Sequence, residues 1–229
     1  YVLFELGHPT HIFDLDRLPE NKILVRRARQ GEKIITLDEK EYELNKNNLL
    51  ITSKDKPIAL AGIMGGLNSS ITDETKNIFI ESAYFDPITI RKSAKSLSLS
   101  TEASKRYERG VDPNGCIDAF ARVVSLICDV TKGELVSEVI DEYPNQIISR
   151  EVNLRRSEID LVLGYHIEDE IISETLSLLE FDYTIKDNMW VCTIPTFRPD
   201  IEREIDIIEE IVRITGFDLV PSDENIYGT

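Results

Sequence analysis

Two imidazoles and a carboxylate fall within seven residues in His8-Pro-Thr-His11-Ile-Phe-Asp14. Those groups at that spacing are compatible with a metal ligand set, a general-base pair, or a turn whose side chains cap the backbone. No HExxH pattern and no paired cysteines accompany them, which weighs against zinc. Glu81 ends the apolar run Asn77-Ile-Phe-Ile, and a carboxyl at the end of a buried strand either sits at the solvent rim or is held in a pocket for one specific hydrogen bond. Ser98 to Ser104 supplies hydroxyls without the signature of a nucleophile elbow.

Two charged stretches and one glycine turn complete the set. From 91 to 109, Arg91, Lys92, Lys95, Lys105, Arg106 and Arg109 face only Glu102 and Glu108, which reads either as a solvated helix face or as a patch contacting phosphates. On a helix of about 3.6 residues per turn, Asp206, Glu209 and Glu210 share one face just after Asp200. Solvent with Arg203 and Arg213 screens that charge, or a hard divalent cation such as magnesium does. Gly62, Gly65 and Gly66 fall within five positions, where backbone can approach a ligand or a neighbouring strand, but they lack the spacing of either nucleotide-binding glycine signature.

The elements that must position these groups suggest an α+β chain in two units. Residues 22 to 60 supply short strands around 22–28, 33–37 and 49–52, separated by polar turns, and 77–83 is a further strand. Asp86-Pro87 opens a helix, and 113–132 is an amphipathic helix that Gly133 closes. Beyond a polar joint at 141–146 and a domain boundary near 147 to 150, Ser157 caps a short helix ending at Gly164, 168–179 forms another, and 181–185 with 189–194 makes a hairpin. A last helix runs from near Asp200 to Thr215, and this second unit resembles a small winged-helix-like module. The expected domains are therefore residues 1–148, β-rich and layered with flanking helices, and 149–229, a helix and hairpin scaffold with an acidic C-terminal helix.

Composition bounds what such a chain does. Of its 229 residues 41% are hydrophobic, enough for buried cores, while 30% are charged and no apolar run approaches a membrane helix. The net charge is −16, and residues 151–229 carry −13 of it, which argues against DNA binding by the second unit and leaves the first nearly neutral. Cys116, Cys128 and Cys192 are scattered, as reduced thiols of a cytoplasmic protein would be. The chain opens at Tyr1 in an apolar stretch and reads as a piece of a longer polypeptide.

Taken in order, the motifs resemble those of the beta subunit of bacterial phenylalanine–tRNA ligase. Gly7-His-Pro-Thr-His-Ile-Phe-Asp-Leu-Asp, Ala61-Gly-Ile-Met-Gly-Gly, Ile80-Glu-Ser-Ala-Tyr-Phe, Thr101-Glu-Ala-Ser and Arg106-Tyr-Glu-Arg-Gly-Val-Asp-Pro are similar to that family's successive signatures. Pro195-Thr-Phe-Arg-Pro-Asp and the acidic helix resemble the module that follows its editing domain. The resemblance implies an editing domain that hydrolyses tyrosine wrongly esterified to phenylalanine tRNA.

By the same resemblance His11 is the pocket histidine, positioning substrate or water, and Glu81 the acid that recognises the tyrosine hydroxyl. Thr101 and Ala103 are implied as pocket walls, and Gly65 as part of a glycine turn that admits the aminoacyl group and donates N–H groups to the ester. It further implies magnesium at Asp200, Asp206, Glu209 and Glu210, shared with the alpha subunit of a two-alpha, two-beta assembly whose synthetic step uses ATP elsewhere. The expected partners are phenylalanine tRNA and the alpha subunit, with no DNA and no membrane. A noncatalytic piece that only binds tRNA or its partner subunit is the alternative. A magnesium-dependent phosphohydrolase built on the acidic helix is a third reading, disfavoured by the lack of a phosphate-cradling glycine loop.

Overall fold

Asp86 accepts a hydrogen bond from the Thr89 N–H (2.7 Å) and Pro87 fills the first turn, so helix α2, in chain order the second, spans Pro87–Leu97 as its start signal predicts. The computed structural model describes residues 1–220, so the last nine residues of the expected second domain lie outside it. The described residues divide into two compact units, split after Tyr143.

In the first unit α1 (Val2–Leu6) precedes β1 (Thr10–Asp14), and β2 (Leu24–Arg27), β3 (Lys33–Ile35), β4 (Glu41–Glu43), β5 (Leu49–Ser53), β6 (Lys56–Leu60), β7 (Met64–Gly65) and β8 (Ile78–Ser82) follow. Helices α2, α3 (Glu102–Tyr107) and α4 (Cys116–Thr131) complete it. An antiparallel four-stranded sheet has the order β2-β5-β6-β7, while β1 pairs with β8 and β3 with β4. One core gathers Phe13, Leu50, Ile58, Leu60 and Ile90, all at most 1% exposed. A smaller cluster of Val2, Ala119 and Val123 receives Ile80, which seats α4 against β8.

The second unit consists of β9 (Arg150–Arg155), α5 (Arg156–Leu163), α6 (Asp169–Leu178), β10 (Asp182–Lys186), β11 (Met189–Ile194) and α7 (Glu204–Thr215). Its sheet has the order β10-β11-β9, packed around Trp190, Leu154, Ile172 and Ile207. Asp187 and Asn188 both take positive φ (49° and 58°), the backbone of a tight hairpin turn whose twist matches the strands. The fold class is thus α+β, and the two helices, hairpin and closing helix of the second unit are present.

Several local expectations are corrected. Strand β9 lies where no element is expected, between the joint and the first helix of the second unit: its Val152 and Leu154 alternate inward between exposed Glu151, Asn153 and Arg155. The short helix starts at Arg156, before Ser157, so Arg155 and not Ser157 holds its N-cap. Lys132, in the left-handed conformation at φ 60°, closes α4 one residue before Gly133. The last helix begins at Glu204, because Asp206 folds back to accept hydrogen bonds from the Glu202 and Arg203 N–H groups. All three cysteines are free. Among the described residues no helix is long and apolar enough to cross a membrane.

Candidate active site

The antiparallel register of β1 and β8 sets His11 directly opposite Glu81. Cross-strand partners point to the same face with Cβ atoms about 4.5–5.5 Å apart, so strand pairing alone brings these two side chains together. Behind them lies β7. A Cβ placed on Gly65 would overlap the Cε1 and Nε2 atoms of His11, so glycine there is the condition for the imidazole to lie against the strand. The ring also meets Phe13 edge-on, with centroids 4.5 Å apart and planes at 78°.

His11, Gly65, Glu81 and Ala103 line one cavity of about 60 Å³ together with Met64 and Tyr107. Thr101 does not line it. Its hydroxyl donates to the Ile63 carbonyl (2.8 Å) and accepts from the Ser104 N–H (3.1 Å), while the Ser104 hydroxyl accepts from the Thr101 N–H (3.0 Å). This capping box starts α3 and ties it to the glycine turn, which places Ala103 at the cavity wall.

The glycine turn is itself committed: the Gly66 N–H donates to the Ile58 carbonyl (2.7 Å), and the Gly65 carbonyl accepts from the Leu37 N–H (3.0 Å). Gly65 also leaves room for the His11 ring.

Burial sets the protonation states. Glu81 is half-buried as a residue, yet its Oε2 is shut off from solvent without a hydrogen-bond partner, and this desolvation pushes its carboxyl up to about 7. Desolvation holds His11 below the ordinary imidazole value, leaving it neutral at pH 7. Tyr107, which sequence reasoning passed over, is 3% exposed, and burial reinforced by the Glu81 charge raises its phenol well above the usual range. Its hydroxyl faces the Ala83 (3.0 Å) and Pro9 (3.2 Å) carbonyls and so links the chain ends flanking β8 and β1. Its signal in the sequence is its place in the motif Arg106-Tyr-Glu-Arg-Gly-Val-Asp-Pro.

The remaining candidates separate. His8 is 3% exposed, has neither ring nitrogen hydrogen-bonded and does not line the His11 cavity. Asp14 instead accepts hydrogen bonds from the Asp16 N–H (3.0 Å) and the Thr75 hydroxyl (2.6 Å). Of the basic stretch, Arg91 donates to the Glu108 carbonyl (2.9 Å) and Lys105 and Arg106 pair with Glu102, while Lys92, Lys95 and Arg109 are exposed.

The acidic group expected to hold magnesium is dispersed. Arg198 bridges Asp200 (2.6 Å) and Glu210 (3.2 Å), Arg213 adds a second bond to Glu210 (2.5 Å), Asp206 caps α7, and Glu209 is exposed. With the oxygens of Asp200, Asp206 and Glu210 turned to guanidinium and backbone donors and Glu209 exposed, these carboxylates do not fit a cation as arranged. Among the described residues no cluster of three or more His, Cys, Asp or Glu is placed to hold a metal ion.

Comparison with known proteins follows the two units. The B3/4 domain model matches residues 1–132, and the tRNA synthetase B5 domain model matches 152–217. The chain is 46% identical over 222 residues to the phenylalanine–tRNA ligase beta subunit of Thermotoga maritima, covering 97% of this chain and 28% of that protein. It is 43% identical over 231 residues to the beta subunit of Protochlamydia amoebophila, covering 100% and 29%. A solved N-terminal fragment of the phenylalanyl-tRNA synthetase beta subunit from Pyrococcus horikoshii shares 17% identity at a TM-score of 0.49, over 94% of this chain and 63% of that one. The chain thus spans less than a third of the length of the two bacterial relatives.

Proposed function

Because the chain belongs to the B3/4 domain family, as a piece of the phenylalanine–tRNA ligase beta subunit that also carries the B5 domain, we propose that the His11–Glu81 cavity hydrolyses tyrosine misattached to phenylalanine tRNA. The observation that carries this reading is the unpartnered Glu81 carboxyl, buried in the same cavity as His11, Gly65 and Ala103.

Tyrosine exceeds phenylalanine by one hydroxyl, and an apolar synthetic pocket discriminates poorly on that difference, whereas a site built to bond the hydroxyl rejects the analogue that lacks it. The phenol O–H would donate to Glu81 and satisfy the oxygen that otherwise has no partner. Phenylalanine would leave that group desolvated, at a cost of about 1–3 kcal/mol. Neutral His11 orients the ester or the attacking water, Ala103 bounds the space for the ring, and Thr101 acts by holding α3 in place. Water adds to the ester carbonyl, the bond to the ribose oxygen breaks, and tyrosine and uncharged tRNA leave.

In this reading the exposed Lys92, Lys95 and Arg109 face acceptor-strand phosphates, and the second unit serves as a scaffold toward the alpha subunit. The test is tyrosine release from mischarged phenylalanine tRNA by this chain beside its His11→Ala variant. Release that falls by a factor of about 100 or more in the variant supports the site. Equal release by both sinks it.

A further inference from the structure

A second, larger cavity of about 300 Å³ opens on the far side of Glu81, along the edge of β8 that β1 does not occupy. The hydrogen bond from the Leu15 N–H to the Asn77 carbonyl (3.0 Å) fixes the phase of the β1–β8 pair, so Phe79 and Glu81 exchange main-chain bonds with β1. The N–H and C=O groups of Ile78, Ile80 and Ser82 therefore point the other way, along the cavity, and β8 pairs with no second strand among the described residues. Six consecutive residues, 78 to 83, form this wall.

The other walls are apolar on both sides of the strand plane. Val25, Ile51 and Phe85 close one side, Ile117 and Phe120 of α4 the other, and the segment 135–141 runs along the outside. Several of these side chains are left open: Val25 is 49% exposed, Ile117 46% and Leu135 53%. A main-chain edge with unused donors and acceptors, set between two apolar layers, is what an added β-strand requires.

We propose that this groove seats one further β-strand, an apolar extended segment of the longer beta-subunit polypeptide, paired to the outer edge of β8. Alternate side chains of that strand enter the Ile51 layer and the α4 layer, so it is apolar on both faces and rich in branched residues, as doubly buried strands are. The carboxyls among the lining residues are Glu81, Glu138 and Asp141, with no lysine or arginine, so the occupant brings no acidic side chain inward. Polypeptide to supply it exists in cis, since the chain spans only 28% of its Thermotoga maritima relative. The segment 135–141 forms the outer wall and has no ladder pairing with β8 among the described residues. The inference stands apart from the editing reading, because it uses the β8 backbone rather than the chemistry of Glu81.

Amide hydrogen exchange at Ile78, Ile80 and Ser82, in this chain and in the full-length subunit, tests it. Exchange slower by a factor of about 100 or more in the full-length subunit alone is the expected result. Protection already present in this chain would mean that 135–141 closes onto β8 itself, and fast exchange in both would mean that nothing pairs there; either overturns the proposal. Val25→Trp supplies an independent readout, since a bulky ring in an open groove leaves the melting temperature of this chain within about 2 °C but lowers that of the full-length subunit. An equal effect in both proteins contradicts the proposal.

Discussion

Glu81 is the residue on which stability and chemistry meet. Its folded carboxyl titrates near 7 against an ordinary value of 4.5, because burial disfavours the charge. The folded state therefore holds a proton that the unfolded state releases first, and the protein loses stability as pH rises from about 4.5 through 7. Glu81→Gln removes that penalty. Thermal melts are expected to show the variant more stable than the parent at pH 8, by roughly 2–3 kcal/mol, with the gain gone near pH 4. A pH-independent difference would contradict this assignment.

The two adjacent glycines separate by what a methyl group would meet. At Gly65 it meets the His11 ring, and at Gly66 the Ile58 backbone carbonyl at 2.6 Å. Gly65→Ala is expected to displace the imidazole and cut tyrosine release by about 100-fold with the melting temperature little changed. Gly66→Ala, forced against backbone that cannot yield, is expected to lower the melting temperature itself. Parallel melts and release assays distinguish the two.

At the scale of elements, local signals worked where the deciding atoms are neighbours in sequence. Asp86-Pro87 started α2, and Asp187-Asn188 made the hairpin turn, because each uses bonds closed within a few residues. They failed where a distant group decides. Strand β9 exists because β11 pairs along all of it, from Arg150 opposite Ile194 to Arg155 opposite Met189. The acidic stretch at 200–210 reads as one charged helix face, yet Arg198, outside the helix, draws Asp200 and Glu210 to itself.

The family motifs named residues that the fold gathers around one cavity, His11, Gly65, Glu81 and Ala103, but not how their neighbours are arranged. Thr101 caps rather than lines, and Tyr107 enters only because α3 turns its ring onto the Ala83 and Pro9 carbonyls. Thr101→Val should therefore cost about 1 kcal/mol through the lost cap, with Thr101→Ser restoring most of it.

Arg198 offers the sharper elemental test. Its guanidinium, 19% exposed, bonds Asp200 and Glu210 and lies 5.7 Å from the Phe181 ring centroid. Arg198→Ala leaves Glu210, 12% exposed, with only Arg213 and should destabilise the second unit by about 2–3 kcal/mol in denaturant melts. Arg213 and Arg198 hold Glu210 below the usual carboxylate value, and Arg198 does the same for Asp200. The stability these pairs supply is present above that value and is lost as pH falls through their lowered values, so the variant should differ least from the parent in strong acid.

The whole molecule joins two units with unlike surfaces: a nearly neutral one that holds the cavity and an acidic one built on α7. Composition made that asymmetry visible before any fold was known, because net charge is additive along a chain while packing is not. The groove beside β8 was invisible at that level, since an unused strand edge is a property of pairing and not of residue type.

The central claim is that Glu81 reads the substrate hydroxyl. The most direct measurement is the ratio of hydrolysis rates for tyrosyl- and phenylalanyl-tRNA bearing the phenylalanine anticodon, for the parent chain and Glu81→Leu at pH 8. The account predicts strong preference for the tyrosyl ester in the parent and a ratio near one in the variant, with residual hydrolysis of both. A variant that keeps the parent's preference would contradict it, because some other group would then be recognising the phenol.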